Sequence, residues 1–416
     1  MKDLYSKYLE HPTICTDTRN IIPDSMFVCL KGERFDGNTF ALQALENGAA
    51  YVVTEDKSLS GNDRCIIVDD CLQTLQALAA YHRQQLNIPI IGITGTNGKT
   101  TTKELIATVL SKKYQTAFTK GNLNNHIGVP LTLLSIRPDD EIAIVEMGAN
   151  HPGEIEFLCN IARPTHGLIT NIGKAHIEGF GSVKEIIHTK KALYRSIIED
   201  QGTLFVNVND TILQNNLDYN KVHFYAEGGE DNITKMSPYL RIKVANQEID
   251  TNLTGSYNIY NFLAAAAIGQ FFGVDNALVA DALQNYVPSN HRSQINQIGS
   301  NIIISDYYNA NPTSMEAAIR NLSKLEHSNK MAILGEMREL GSISEQEHLH
   351  IIDLCKELSI NVIFVGTEFC KHQPEHCFPS SEALNEALLQ HPIQNAMVLV
   401  KGSNGIHLDR LTAILQ

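Results

Sequence analysis

Short runs of apolar residues alternate along most of the chain with stretches in which apolar positions recur every three or four residues. Buried strands alternating with amphipathic helices predict an α/β protein built on mainly parallel sheets. Before residue 87, strands are expected over 26–30, 50–54 and 64–68, and helices over 39–48 and 72–86. Asn87-Ile88-Pro89 then breaks the pattern and marks a domain joint. Beyond it, 90–93, 141–145, 168–172, 204–208 and 222–225 read as strands. Helices are expected from Lys99 through Leu110, from Gly153 through Ile161, over 183–198, and in the alanine-rich stretch ending at Gly269. After Pro288 the alternation restarts, with strands over 302–305, 331–334, 362–365 and 397–400. Helices over 313–325, 344–358, 381–389 and 406–415 complete four βα units, the pattern of a doubly wound domain. The predicted domains are 1–86, 87–290 and 291–416.

The most informative stretch is Ile90 to Glu104, IIGITGTNGKTTTKE. An apolar strand stops at Thr94, Gly95, Thr96, Asn97 and Gly98, and Lys99, Thr100 and Thr101 open a helix. Glycines let backbone N–H groups wrap phosphates, the lysine reaches the terminal ones, and a threonine hydroxyl can ligate Mg²⁺. The helix N-terminus adds unpaired donors and partial positive charge. The strict G-x-x-x-x-G-K-[ST] pattern is not met, because Ile93 stands at its first glycine. The strand before and the helix after still define a phosphate loop for ATP.

Ligands in open α/β sheets gather at the carboxyl ends of strands. Glu146, Asn171 and His176 sit at the carboxyl ends of two of the predicted strands and come within reach of a metal at the phosphate loop. A hard cation on nucleotide phosphates takes one or two carboxylates plus water, which gives Glu146 a metal role. Asp306, Tyr307, Tyr308, Asn309, Ala310 and Asn311 end the first strand after Pro288, where a ligand would also sit.

Composition narrows the class. The chain has 416 residues, 43% apolar and 19% charged, ordinary for a globular protein of two or three domains. A net charge of −13 argues against a nucleic-acid partner and requires any anion site to be locally positive. No apolar run reaches the roughly 20 residues of a membrane span, so no membrane insertion is expected. Eight scattered cysteines without C-x-x-C suit free thiols in a cytoplasmic protein. Cys370, His372, His376 and Cys377 are read as a surface loop, since adjacent His and Cys side chains cannot easily converge on one tetrahedral ion.

The stretch TGTNGKTTTKE resembles the ATP loop of the Mur ligase family, the amide-forming enzymes of peptidoglycan precursor synthesis. TDTR at 16–19, FVCLKGERFDGNTF at 27–40, GNLNNHIGVPLTLL at 121–134 and EMGANHPGEIEFL at 146–158 extend the resemblance. TNIGKAHIEGFGS at 170–182, YNANP at 308–312, GEMRELG at 335–341 and VKGS at 400–403 complete it across the whole chain, in family order. The resemblance implies three domains: one for a UDP-sugar, a central P-loop ATPase sheet, and a C-terminal Rossmann-like lid. It implies ATP and Mg²⁺ as cofactors, UDP-N-acetylmuramoyl-tripeptide and D-alanyl-D-alanine as partners, an acyl-phosphate intermediate, and a monomer.

Residue by residue, it places phosphates on Gly95 through Thr101, and Mg²⁺ on Thr100, Glu146, His176 and Lys190, the last as a carbamate. Lys99, Lys190 and His176 are the implied catalytic set. Asn258, Asp306, Tyr308, Asn309 and Asn311 would contact adenine and ribose, and Arg292 a phosphate. Thr18, Arg19, Lys31, Arg34, Phe35 and Asn38 fall in the nucleotide-sugar site, and Asn124, Asn125 and Asn150 in the substrate-facing loops. Tyr257 stands where the family usually has His, and Ser305 replaces the first of a common Asp pair. A D-N-P-R-like motif for a diamino acid is not found, nor the D-x-x-G or N-K-x-D signals of a GTPase. Folate polyglutamylation would share the ATP loop but should lack the UDP-sugar segment, and a non-catalytic relative should lose Lys99, Glu146 or Lys190.

Overall fold

In the two six-stranded sheets, successive apolar residues of a strand enter opposite cores, as the two-residue period of a strand requires. Ile90 packs in one cluster and Ile91 and Ile93 in another; Ile303 and Ile304 divide in the same way. The computed structural model of this chain describes all residues except Arg34, Asn216, 289–291 and Gln416. Arg34 and the expected joint at 290 therefore lie outside the described residues.

Three sheets organise the chain. The first has four parallel strands in the order Ile14–Cys15, Met26–Val28, Tyr51–Thr54, Cys65–Ile67. The second has six, all parallel, in the order Val222–Tyr225, Thr203–Asn207, His166–Ile169, Ile90–Thr94, Ile142–Glu146, Thr116–Phe118. The third, also six-stranded, runs Gln294–Ile298, Asn301–Asp306, Met397–Lys401, Lys330–Gly335, Asn361–Val365, Cys377–Phe378, and only its first strand is antiparallel. After Ile90–Thr94 the chain builds one side of the second sheet, then crosses to the other at His166–Ile169. The switch point, where doubly wound sheets bind ligands, thus falls at the phosphate loop.

The first sheet is anchored to the second by the helix Cys71–Gln85. Its Leu75 and Leu78 share one apolar cluster with Val129, Leu133, Leu158 and Ile161. Buried Arg83 donates from Nε to the carbonyl of Ala162 (2.9 Å), from Nη2 to that of Arg163 (2.9 Å) and from Nη1 to that of Leu86 (3.0 Å). Hydrogen bonds from charged donors contribute about 1.5–3 kcal/mol, and orphaned buried acceptors carry a desolvation penalty. Arg83→Ala should therefore lower unfolding stability by about 2–3 kcal/mol. A denaturant midpoint unchanged from wild type would show that apolar contacts alone hold this joint.

Several expectations change. The strand expected over 168–172 stops at Ile169 because Thr170 and Asn171 turn to brace the phosphate loop: Thr170 Oγ1 donates to the Asn97 carbonyl (2.7 Å) and Thr96 N to the Asn171 carbonyl (2.9 Å). The helix expected over 406–415 breaks at His407, whose φ of 57° is left-handed; short helical turns Asn404–Ile406, Leu408–Arg410 and Thr412–Leu415 replace it. Several elements went unread, among them the strands Thr116–Phe118 and Gln294–Ile298 and the helices Gly128–Leu134 and Asn276–Asn285. The helix Lys2–Glu10 buries only Leu4 and Tyr8, and the antiparallel sheet Ile233–Lys235, Arg241–Val244, Gln247–Asp250 lies within the central region. Free thiols were expected throughout, but Cys370 and Cys377 form a disulfide that ties the helix Thr367–Cys370 to the strand Cys377–Phe378. The other six cysteines are free.

Candidate active site

Gly95 and Gly98 adopt φ of 146° and 79°, conformations other residues rarely take. A Cβ on Gly95 would lie 2.0 Å from Thr170 Oγ1, and one on Gly98 2.7 Å from Asn261 Oδ1, so both bends need glycine. Behind the loop, Thr102 Oγ1 donates to Asn261 Oδ1 (3.0 Å), Asn261 Nδ2 to Asn258 Oδ1 (2.8 Å), and Asn258 Nδ2 to the Thr254 carbonyl (2.7 Å). The helix Lys99–Leu110 has no side-chain cap. Its first amides are left for an anion.

Two lysines converge on one carbonyl. Lys99 Nζ donates to the oxygen of Gly95 at 2.7 Å and of Thr96 at 3.1 Å; Lys190 Nζ donates to the same Gly95 oxygen at 3.1 Å. Burial lowers Lys99 to about 8, opposed by Glu146 and reinforced by Arg292. Lys190, 3% exposed, is held well below the ordinary lysine range, first by burial and then by the Lys99 charge. A solvated lysine on a helix is thus excluded for Lys190.

Glu146 ends its strand buried, 1% exposed. Oε1 accepts from Thr100 Oγ1 (3.2 Å) and Asn124 Nδ2 (2.8 Å), whereas Oε2 has no hydrogen bond and faces Lys103 Nζ at 3.6 Å. A buried carboxylate oxygen without a donor, beside a threonine hydroxyl, is an oxygen donor set that fits a hard cation. Among the described residues no three His, Cys, Asp or Glu side chains cluster as a metal cage.

One cleft of about 570 Å³ joins these residues to the third sheet. Its walls include Thr96 to Thr101, Asn124, Asn125, Glu146, Asn150, His176, Asn258, Arg292, Asp306, Tyr308, Asn309 and Asn311. Arg292 lies over the Tyr308 ring, 4.0 Å from its centroid, with its Nε buried and unpartnered. Asp306 pairs with buried Lys401 (2.7 Å), its register partner on the neighbouring strand. Asn311 caps the helix Pro312–Lys324 and donates from Nδ2 to Asn97 Oδ1 (2.7 Å), tying the third unit to the phosphate loop. Tyr257, in place of the family histidine, hydrogen-bonds Ser293 (3.0 Å), and its burial raises the phenol well above 10.

Not every expected residue converges there. Asn171 lines the cleft, but its side chain is spent on the loop, accepting from Asn97 N and donating to the Asn97 carbonyl (both 3.0 Å); it is a brace rather than a metal group. Asn125 Oδ1 accepts from Ile127 N and Gly128 N and so shapes the start of the helix Gly128–Leu134. Thr18, Arg19, Lys31, Phe35 and Asn38 lie at the carboxyl ends of the first sheet's strands, outside this cleft. Arg19 is 85% exposed and paired with Asp17, Lys31 is paired with Glu55, and Phe35 is exposed. Asn38 Oδ1 accepts from Thr54 Oγ1 (2.7 Å) and Glu55 N (2.8 Å). Lys103, Lys401 and Glu339 went unread. All three lie in stretches that carry the family resemblance, and Lys401 also sits at a strand's carboxyl end, within VKGS.

A phosphate loop at a switch point, a buried metal-ready carboxylate and a third α/β unit closing the cleft define a nucleotide-dependent ligase class, and this chain belongs to the Mur ligase family. Models of the Mur ligase family catalytic domain, the Mur ligase middle domain and the Mur ligase glutamate ligase domain match residues 13–88, 93–269 and 291–404. It is 34% identical to the UDP-N-acetylmuramoyl-tripeptide–D-alanyl-D-alanine ligase of Bacillus subtilis, over 96% of this chain and 92% of that protein. The Escherichia coli ligase of the same name is 31% identical, over 97% and 93%. Among solved structures, MurF from Acinetobacter baumannii superposes with a TM-score of 0.84 at 30% identity, over 96% and 92% of the two chains. MurF ligase from Thermotoga maritima in complex with ADP gives 0.83 at 26%, over 99% and 97%.

Proposed function

We propose that this chain is an ATP-dependent ligase that joins D-alanyl-D-alanine to the terminal carboxylate of UDP-N-acetylmuramoyl-tripeptide, giving the pentapeptide precursor of peptidoglycan. The observation that carries it is the single cleft in which the phosphate loop and Glu146 meet Asn124 and Asn150 of the two substrate-facing loops. Full-length similarity to ligases of that name supports the choice of substrates.

Carboxylates are poor electrophiles, so the tripeptide carboxylate is first phosphorylated and the incoming amine then displaces phosphate. Lys99 and the amides of Gly95 to Thr101 hold and neutralise the transferring phosphates. Thr100 and Glu146, with His176 and a carbamylated Lys190, are the residues that would hold Mg²⁺. Bound there, the ion supplies positive charge to the phosphates. Carbamylation needs a neutral amine, and the burial of Lys190, with the Lys99 charge beside it, shifts its equilibrium toward that form. Arg292 would reach phosphate, and Asn258, Asp306, Tyr308, Asn309 and Asn311 would hold adenine and ribose. The carboxyl ends of the first sheet carry Thr18, Arg19, Lys31, Phe35 and Asn38 for the UDP-sugar.

This reading assigns 1–86 to the UDP-sugar, 87–290 to ATP and 291–416 to closure, in keeping with the three sheets. It takes the protein as a cytoplasmic monomer. No helix among the described residues is long and apolar enough to cross a membrane.

Phosphate release from ATP in the presence of UDP-N-acetylmuramoyl-tripeptide, with and without D-alanyl-D-alanine, tests the activity. In competition, D-alanyl-D-alanine should win strongly over meso-diaminopimelate or lysine. Preference for a free amino acid would overturn the assignment.

A further inference from the structure

Between the second and third sheets, two non-glycine residues with left-handed backbones face each other: His176 (φ 52°) and Glu339 (φ 63°). The Glu339 carboxylate hydrogen-bonds Nδ1 of His176, and the Glu339 carbonyl accepts from the amide of Glu178 (3.2 Å). A carboxylate only accepts, so Nδ1 is the donor, and in the neutral ring Nε2 is then the lone-pair nitrogen. His176 lines the cleft together with Thr100 and Glu146. Non-glycine left-handed residues persist only where their surroundings hold them, and here each holds the other across two domains.

We infer that Glu339 is a positioning residue, contributed by the C-terminal unit, that fixes the tautomer and orientation of His176 and so completes the cation site only when that unit is docked. This rests on the reading of His176 as a metal-holding group. Histidine ligands commonly donate their second ring N–H to a carboxylate, and loss of that partner typically weakens metal binding ten- to a hundredfold. Here the partner comes from a different domain than Thr100 and Glu146. Docking would therefore be coupled to cation affinity, which keeps the metal site incomplete until the cleft is closed.

A plain interdomain latch is the competing account, and the interface supplies its own control. Lys174 pairs with Glu347 (2.8 Å) across the same joint without touching His176. Mn²⁺ binding to the full-length protein with ADP, read from the free Mn²⁺ electron paramagnetic resonance signal, separates the two. His176→Ala and Glu339→Ala should each weaken Mn²⁺ binding about tenfold or more. Glu339→Gln should fall between, because its amide oxygen still accepts from Nδ1 without the charge; Lys174→Ala should stay within about twofold of wild type. Wild-type affinity in Glu339→Ala, with His176→Ala impaired, would overturn the inference alone. An equal loss in Lys174→Ala would reduce Glu339 to a latch. Normal binding in His176→Ala would overturn the metal reading of His176, and this inference with it.

Discussion

Lys99→Ala should reduce ligation below a tenth of the wild-type rate while leaving binding of the UDP-sugar substrate intact. Lys99 Nζ now rests on the carbonyls of Gly95 and Thr96, which hold it within the loop. Its burial lowers its pKa to about 8, so it releases a proton more easily than a surface lysine but stays largely charged at neutral pH. Each charge-assisted bond to phosphate is worth about 1.5–3 kcal/mol, and more as charge develops on the transferring group. Losing two such bonds costs at least about 3 kcal/mol, roughly a hundredfold in rate. The UDP-sugar residues at the first sheet lie outside the cleft, so substrate affinity is the internal control. Ligation above a tenth of wild type would contradict the role of the loop.

Lys190→Ala should also lose most activity at moderate Mg²⁺, and added formate or acetate should restore part of it. As an ammonium, Lys190 would place a second positive charge on the Gly95 carbonyl beside Lys99. A unit charge pair at about 4 Å is worth roughly 4 kcal/mol at an effective dielectric near 20, so one of the two lysines is strongly driven to shed its proton. Lys190 is lowered well below the ordinary lysine range, first by burial and then by the Lys99 charge. The sign follows: the neutral amine that attacks CO₂ is the majority form above the depressed pKa, and acidification through that pKa removes it. The carbamate carries the opposite charge and would pair with Lys99 instead of repelling it. Lowering the pH should therefore reduce wild-type activity, but not the carboxylate-rescued activity of the mutant, through this group. Near-normal turnover in the mutant would remove Lys190 from the mechanism, and lost activity without rescue by either acid would leave the amine itself as the functional form. Thermal unfolding of both variants separates lost chemistry from lost packing.

How far the sequence alone reaches can be judged from particular residues. The loop from Gly95 to Thr101 was legible because its chemistry is local: glycines at forced bends, then a lysine and threonine at a helix start. Glu146 was legible because a strand's end points to the ligand crevice, and the strand itself announced its length by a run of apolar residues. Lys190 drew notice only through a resemblance, since nothing in its own neighbourhood distinguishes it from Lys191, which is partly exposed and bonded to the Asn215 carbonyl. Burial separates the two, and burial depends on which face of the helix Val183–Glu199 meets the sheet.

The sequence by itself determined the alternation of strands and helices, the three sheets it implies and the position of the phosphate loop, because each follows from periodicity and turn chemistry within a few tens of residues. Only the tertiary structure decided which groups face one another across the chain. Asn171 became a brace rather than a metal group because the nearest unmet polar atoms belong to Asn97. Asp306 acquired Lys401 because parallel pairing places those residues in register. Glu339 came to His176 because the third unit docks on the second. Such partnerships join residues 74, 95 and 163 positions apart in the chain, and no local pattern encodes a contact at that separation.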